Sequence, residues 1–157
     1  METYYGVQQL ASTIPVMNLQ QYADFYGDIG WETIDEFERP ELLGEGTDWQ
    51  DAVFREASMR NFQLTASGGT EQTRYALSGS YHEKEGIVVG SDFSRISGKI
   101  NIDHSFSDKV RMGNSFLLSR TTENITFNDN SNGVVYTALL MVPNAPVTNA
   151  DGSFAGP

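Results

Sequence analysis

The chain has no cysteine, little positive charge and no long apolar run, and each shortage closes a class of function. Without cysteine, its 157 residues can form neither a disulfide framework nor a thiolate zinc site. Lys and Arg number 10 against 21 Asp and Glu, a formal net charge of −11. That balance argues against nucleic acid as a partner, because phosphates need a basic counter-surface. The longest apolar run, around 134–142, falls far short of the ~20 residues of a membrane-spanning helix. Any membrane crossing must therefore be made by β-strands. Met1 is followed by Glu2 and Thr3, where a secretory signal would open with a basic region and an apolar stretch. An exported protein with this start is expected to be missing its signal. The length itself suffices for one domain with a real core.

What the chain does have is alternation. In "NFQLTAS", Phe62, Leu64 and Ala66 take one face and Asn61, Gln63, Thr65 and Ser67 the other, since successive strand side chains point to opposite sides. After the Gly68-Gly69 turn the pattern resumes, with Tyr75, Leu77, Gly79 and Tyr81 set against Arg74, Ser78, Ser80 and His82. Two such runs around a short Gly-rich turn read as a hairpin. A second hairpin follows. Ile96, Ile100, Ile102 and Phe106 alternate with Arg95, Ser97, Lys99, Asn101 and Asp103, and beyond Ser107-Asp108-Lys109 the residues Val110, Met112, Phe116 and Leu118 alternate with Arg111, Gly113, Ser115 and Ser119.

The remaining segments read differently. Residues 3–10 are aromatic and strand-like. Asn18 can cap a helix carrying Leu19, Tyr22, Ala23 and Tyr26 at helical spacing, with Gly27 and Gly30 at its end. From Asp24 to Asp51 there are ten acids and one base, Arg39, broken by Pro40, Gly44 and Gly46, a composition that reads as a solvated loop. Thr47 then caps a second short helix whose Trp49, Val53 and Phe54 share a face. The stretch "VVYTALLMV" has helical character, and the chain closes in a loop-like "PNAPVTNADGSFAGP".

The apolar face of the hairpins could meet a second sheet or a lipid bilayer, and three features favour lipid. The strands run to about 10 residues, the length of a tilted crossing. Short turns at 68–73 and 107–109 alternate with a longer loop at 83–92 and a long excursion at 12–59, as in outer-membrane barrels. Antiparallel placement puts Phe62, Tyr81 and Phe93 near the loop end and Tyr75 and Phe106 near the turn end, as aromatic girdles around Leu64, Leu77, Ile100 and Ile102. One residue breaks the pattern: strict alternation sets His104 on the lipid face, unless a bulge removes it.

These residues carry a resemblance to the SusC-like family of TonB-dependent outer-membrane transporters. The matching stretches are "TYYGVQ" at Thr3, "NLQQYADFYGD" at Asn18, "TDWQDAVFREASMRNFQLTASGGTEQTRYALSGSYHEKEGIV" from Thr47, "FSRISGKINIDHSFSDKVRMGNSFLLS" from Phe93 and "ALLMVPNAPVTNADGS" from Ala138. They follow the family's order and cover nearly the whole chain. The resemblance implies a parent with a signal sequence, a TonB-contacting segment, an N-terminal plug and a barrel of about 22 strands, of which this chain would supply about five, beginning part-way through the first. It further implies uptake of glycan or peptide oligomers by TonB-coupled transport, with a surface SusD-like lipoprotein as lid.

The expected fold is therefore all-β with minor helix: an antiparallel meander forming part of a transmembrane β-barrel wall. Strands are expected at 3–10, 60–68, 74–82, 94–106 and 110–120, an external loop with two short helices at 12–59, and a second external loop at 122–157. The expected lipid-facing residues are Phe62, Leu64, Tyr75, Leu77, Tyr81, Ile96, Ile100, Ile102, Phe106, Met112, Phe116 and Leu118. The expected location is the cell outer membrane, the partners its lipid and, for the parent, the SusD-like lipoprotein, TonB and an oligosaccharide or peptide substrate. The rival reading is a secreted soluble β-sandwich or carbohydrate-binding module, in which the same strands pack on a second sheet.

No catalytic, cofactor or metal site is expected. "NDNSNG" at 128–133 resembles the start of a calcium loop, but its twelfth position is Leu139, where that loop needs a bidentate Glu. His82 and His104 stand on different strands without a paired acid at ligand spacing. The serines of the strands lack a nucleophile elbow. "NIT" at Asn124 matches a glycosylation acceptor of a kind that arises often by chance.

Overall fold

The computed structural model describes residues 1–30, 35–128 and 132–155. They form two compact units, one of residues 1–9 and 56–125 and the other of residues 10–55 and 126–157.

The first unit is a five-stranded antiparallel sheet in simple sequence order, β1 Glu2–Gln8, β2 Ala57–Gly69, β3 Thr73–Glu85, β4 Asp92–Ser107 and β5 Val110–Asn124. The sheet is not closed, and β1 and β5 are its edges. Strands β2 to β5 hold 13, 13, 16 and 15 residues, longer than the alternating runs alone suggest. The extra length comes from polar residues such as Glu83, Lys84 and Glu85, which pair across the ladder with Ser94, Phe93 and Asp92. The loop expected at 83–92 accordingly shrinks to residues 86–91, closed by the Gly86 N–H donating to Ser91 O at 2.9 Å. Residues 70–72 and 108–109 make the two turns at the other end.

A register shift lies between Ser105 and Ser107, so a bulge is present, but one step past the place where it would lift His104 off the apolar face. His104 keeps its place between Thr73 and Met112. Its Nδ1 lies 2.7 Å from Thr73 Oγ1, and Phe106 sets an edge-to-face ring 4.4 Å from it. A cross-strand hydrogen bond and an aromatic neighbour are how the fold keeps a polar ring on that face.

The second unit is built on short helices. Helix α1, Leu19–Asp28, starts at a capping box: Asn18 Oδ1 accepts from the Gln21 N–H at 2.9 Å, and the Gln21 side chain accepts from the Asn18 N–H at 3.1 Å. Leu19 and Ala23 are buried with Phe37, and Tyr22, Tyr26 and Leu43 pack around them. Phe37 sits in the acidic run that reads as solvated loop. There Asp35–Phe37 and Pro40–Leu42 are 3₁₀ turns, and Tyr22 and Tyr26 meet the Phe37 ring edge-on at 5.9 and 5.6 Å. Replacing Asn18 with Ala should cost about 1 kcal/mol, read as a roughly fivefold loss of hydrogen-exchange protection across α1.

Helix α2, Trp49–Val53, is capped by Asp48, whose Oδ1 accepts from the Gln50 and Asp51 N–H groups. Thr47, the residue expected to cap it, is engaged elsewhere: its N–H donates to Pro143 O at 2.9 Å and its Oγ1 to Ala145 O at 2.8 Å. The carboxylate is the stronger acceptor at a helix N-terminus, and it stands one residue closer. Gly46 has a φ of +77°, and a Cβ there would meet Leu19 Cβ and Pro143 O at 2.6 Å. Gly46→Ala should therefore loosen this unit by more than the Asn18 substitution does. Helix α3, Val134–Leu140, falls in the stretch expected as loop with helical character, and buries Ala138. No helix among the described residues is long and apolar enough to cross a membrane.

Candidate functional site

Register assigns every side chain of the sheet to one of two faces. On the first, Phe62, Tyr81, Ile96 and Arg120 stand in one row. Below it come Leu64, Gly79, Gly98 and Leu118, then Ala66, Leu77, Ile100 and Phe116, then Gly68, Tyr75, Ile102 and Asn114, then Thr73, His104 and Met112. Above these rows, toward the loop end, the same face turns polar: Arg60 forms an ion pair with Glu83, Ser58 Oγ donates to Glu85 Oε2 at 2.8 Å, and Asn124 Nδ2 donates to both carboxylate oxygens of Asp92. Between these polar ends the large apolar residues lie open, from Tyr81 at 36% to Leu118 at 67% exposure.

The second face is mostly polar. Ser80 and Ser97 share a hydrogen bond of 2.7 Å, Ser115 Oγ donates to Asn101 Oδ1 at 2.8 Å, and Arg95 Nε donates to Thr121 Oγ1 at 3.3 Å. Phe93, expected in the girdle beside Phe62 and Tyr81, is on this face instead, between Lys84 and Glu123. It is two residues from Arg95, and odd-numbered positions of β4 all point this way. There His82 meets the Phe93 ring at 5.9 Å, Tyr4 meets His82 at 6.5 Å, and the Arg95 guanidinium lies 5.3 Å from the Phe93 centroid. The sequence signal for this cluster was available: a period-two count from Ile96 places Phe93 opposite. Leu117, paired with Lys99, is an apolar residue on the polar face.

The second unit carries a cavity of about 660 Å³. Its walls come from Trp49 and Val53 of α2, Val134, Ala138 and Met141 of and beside α3, and Pro146. Trp49 Nε1 donates to Val142 O at 3.0 Å, which turns the indole toward α3. Behind it the buried Gln50 exchanges two hydrogen bonds with Ile14, accepting from its N–H at 2.9 Å and donating to its C=O at 2.7 Å. Gln50→Ala should cost about 1–3 kcal/mol, because it strands both Ile14 groups; faster exchange of the Ile14 amide is the check. Nearby, Asp151 Oδ1 accepts from the Ser153 N–H and hydroxyl, which holds its carboxyl below the usual carboxylate range. The turn gains from that contact at neutral pH and loses it as acid protonates the carboxyl.

Among the described residues no group of three or more His, Cys, Asp and Glu side chains converges. Asp129, Asn130 and Ser131 of the calcium-like stretch lie outside the described residues.

An open antiparallel meander with one apolar and one polar face fits a section of barrel wall, and solved structures share it. The RagAB peptide importer in its closed-closed state matches with a TM-score of 0.72 and 19% identity over 98% of this chain and 21% of that one. Its open-open state gives 0.73 over the same shares. No protein-family model matches. TonB-dependent receptor P3 of Formosa agariphila is 25% identical over 98% of the chain, TonB-dependent receptor P26 of the same organism 31% over 69%, and TonB-dependent receptor SusC of Bacteroides thetaiotaomicron 37% over 38%. The sheet thus matches part of a TonB-dependent receptor barrel, and the chain is similar to SusC-like TonB-dependent receptors. It spans 15%, 10% and 6% of the length of those three relatives.

Proposed function

We propose that this chain is wall and external loop of an outer-membrane importer that takes up oligomers by TonB-coupled active transport, without catalysis. The observation that carries the reading is the division of the sheet into a polar face and an apolar band with polar ends. On β4 the band runs in register from Ile96 to His104 and on to Phe106, whose ring lies against His104. At roughly 3.3 Å per residue and a tilt of roughly 40° it rises about 25 Å, the height of the apolar band of outer-membrane barrels. The twelve residues from Phe62 to Leu118 named above as lipid-facing are then the surface in contact with hydrocarbon. The polar face lines the lumen. The second unit, rich in acids, lies outside the cell, where a SusD-like lipoprotein closes over the barrel; the TonB contact belongs to other parts of the receptor.

Between glycan and peptide, the cavity of the second unit favours peptide. Its largely apolar walls, Trp49 with Val53, Val134, Ala138 and Met141, suit an apolar side chain, and the solved RagAB structures are described as a peptide importer. The soluble-sandwich reading needs a second sheet over the apolar face, and the described residues form one sheet only. The external placement is tested by cysteines at Glu36 and Glu45 in the full-length receptor. Both should react with an impermeant thiol reagent on whole cells lacking the lid lipoprotein, and protection of both would overturn the placement.

A further inference from the structure

The apolar face is not uniformly filled. At its centre Gly79 and Gly98 pair across β3 and β4. Neither is there for want of room: a Cβ on Gly98 would meet nothing within 4 Å, and one on Gly79 only Ser97 O at 4.0 Å. Their missing side chains leave two adjoining hollows of about 410 and 500 Å³. The first is walled by Phe62, Tyr81 and Ile96, the second by Leu77, Ile100 and Phe116, and Leu64 and Gly79 belong to both. Arg120 does not line either hollow, but by register it stands beside Ile96, which walls the first, and one row above Leu118, which borders the second. Arg60, in the next row up, is paired with Glu83. The Arg120 side chain has no ion pair or hydrogen bond among the described residues.

We propose that the groove holds an acyl chain of an anionic, phosphate-bearing membrane lipid whose headgroup is bound by Arg120. Depth and charge both fit. From Arg120 to Asn114 the strand runs about 20 Å, or about 15 Å along the membrane normal at a tilt of roughly 40°, which is half of the ~30 Å hydrocarbon core and so the reach of one leaflet's chain. An unpaired guanidinium at the upper edge of an apolar band meets lipid phosphate at the level where the chain begins. The exposed surface of the hollows is almost wholly apolar, so the contact that distinguishes one lipid from another is the one at Arg120.

This inference rests on the apolar face meeting lipid, and its test separates the two. The full-length receptor in nonionic detergent is titrated with dipalmitoyl phosphatidylglycerol or dipalmitoyl phosphatidylcholine, and bound lipid is counted by native mass spectrometry. The unaltered receptor should hold phosphatidylglycerol about fivefold more tightly. Arg120→Gln should abolish that preference, and Gly98→Leu should weaken both lipids by filling the groove. Equal binding of the two lipids, or a preference that survives Arg120→Gln, overturns the inference, whether or not the Gly98 variant folds. A spin label at Ile100 in vesicles identifies which idea has failed: if it collides with oxygen more than with a water-soluble nickel chelate and no lipid preference is seen, the groove alone is wrong, and if it favours the chelate, the lipid-facing reading falls as well.

Discussion

Arginine in place of Ile100 is expected to lower the stability of the full-length receptor in a bilayer by about 2–4 kcal/mol. Ile100 belongs to the middle row of the apolar band, between Leu77 and Phe116, which the proposed placement sets at the depth where a guanidinium is costliest and has least chance of reaching either interface. The neighbouring substitution, Asn101→Arg, places the same charge on the polar face, where Lys99 already stands one position to the other side, and should change stability by less than about 0.5 kcal/mol. Guanidinium unfolding of the receptor in phosphatidylcholine vesicles measures both. Equal costs at the two positions would mean that the two faces do not see different solvents.

The chain by itself, in plain buffer, should be associated rather than monomeric. Leu64, Ile100, Phe116 and Leu118 are exposed by 63, 41, 57 and 67%, and covering such surface gains roughly 25 cal/mol per Å². The sheet also offers two open edges, of which β5 is exposed along all 15 residues; unpaired edges recruit further strands. Detergent should disperse the assemblies by covering the face, while the edges leave the dispersed species short of cooperative unfolding. Sedimentation velocity at tens of micromolar reads the result. A monodisperse, cooperatively folding monomer without detergent would give the apolar face an internal partner and restore the soluble module.

The hairpins were legible in the sequence because period-two alternation is a local signal that depends only on the pleat. Strand ends were not, since Glu83, Lys84 and Glu85 are paired by a ladder that extends past the apolar run, and composition carries no mark of that. Phe93 has the height of the girdle aromatics but the opposite parity, which sets it on the polar face. The asparagine cap of α1 is legible at Asn18, whereas Thr47 reads as the cap of α2 and is drawn off by its distant partners Pro143 and Ala145, leaving Asp48 to cap. Phe37 was hidden by its neighbours: one aromatic in a run of acids counts as loop until the two tyrosines of α1 are brought against it. The cavity beside Trp49 depends on residues about 90 positions apart, and no local pattern announces it.

The most direct test of the account follows single positions along β4 through the bilayer. Spin labels are attached in turn at Ser97, Gly98, Lys99, Ile100, Asn101, Ile102 and Asp103 of the full-length receptor in vesicles, and collision with oxygen is compared with collision with a water-soluble nickel chelate. The account predicts strict alternation, with Gly98, Ile100 and Ile102 favouring oxygen and the other positions favouring the chelate. Contact that does not alternate, or alternation of the opposite phase, would contradict the claim that this sheet is a wall between lipid and lumen.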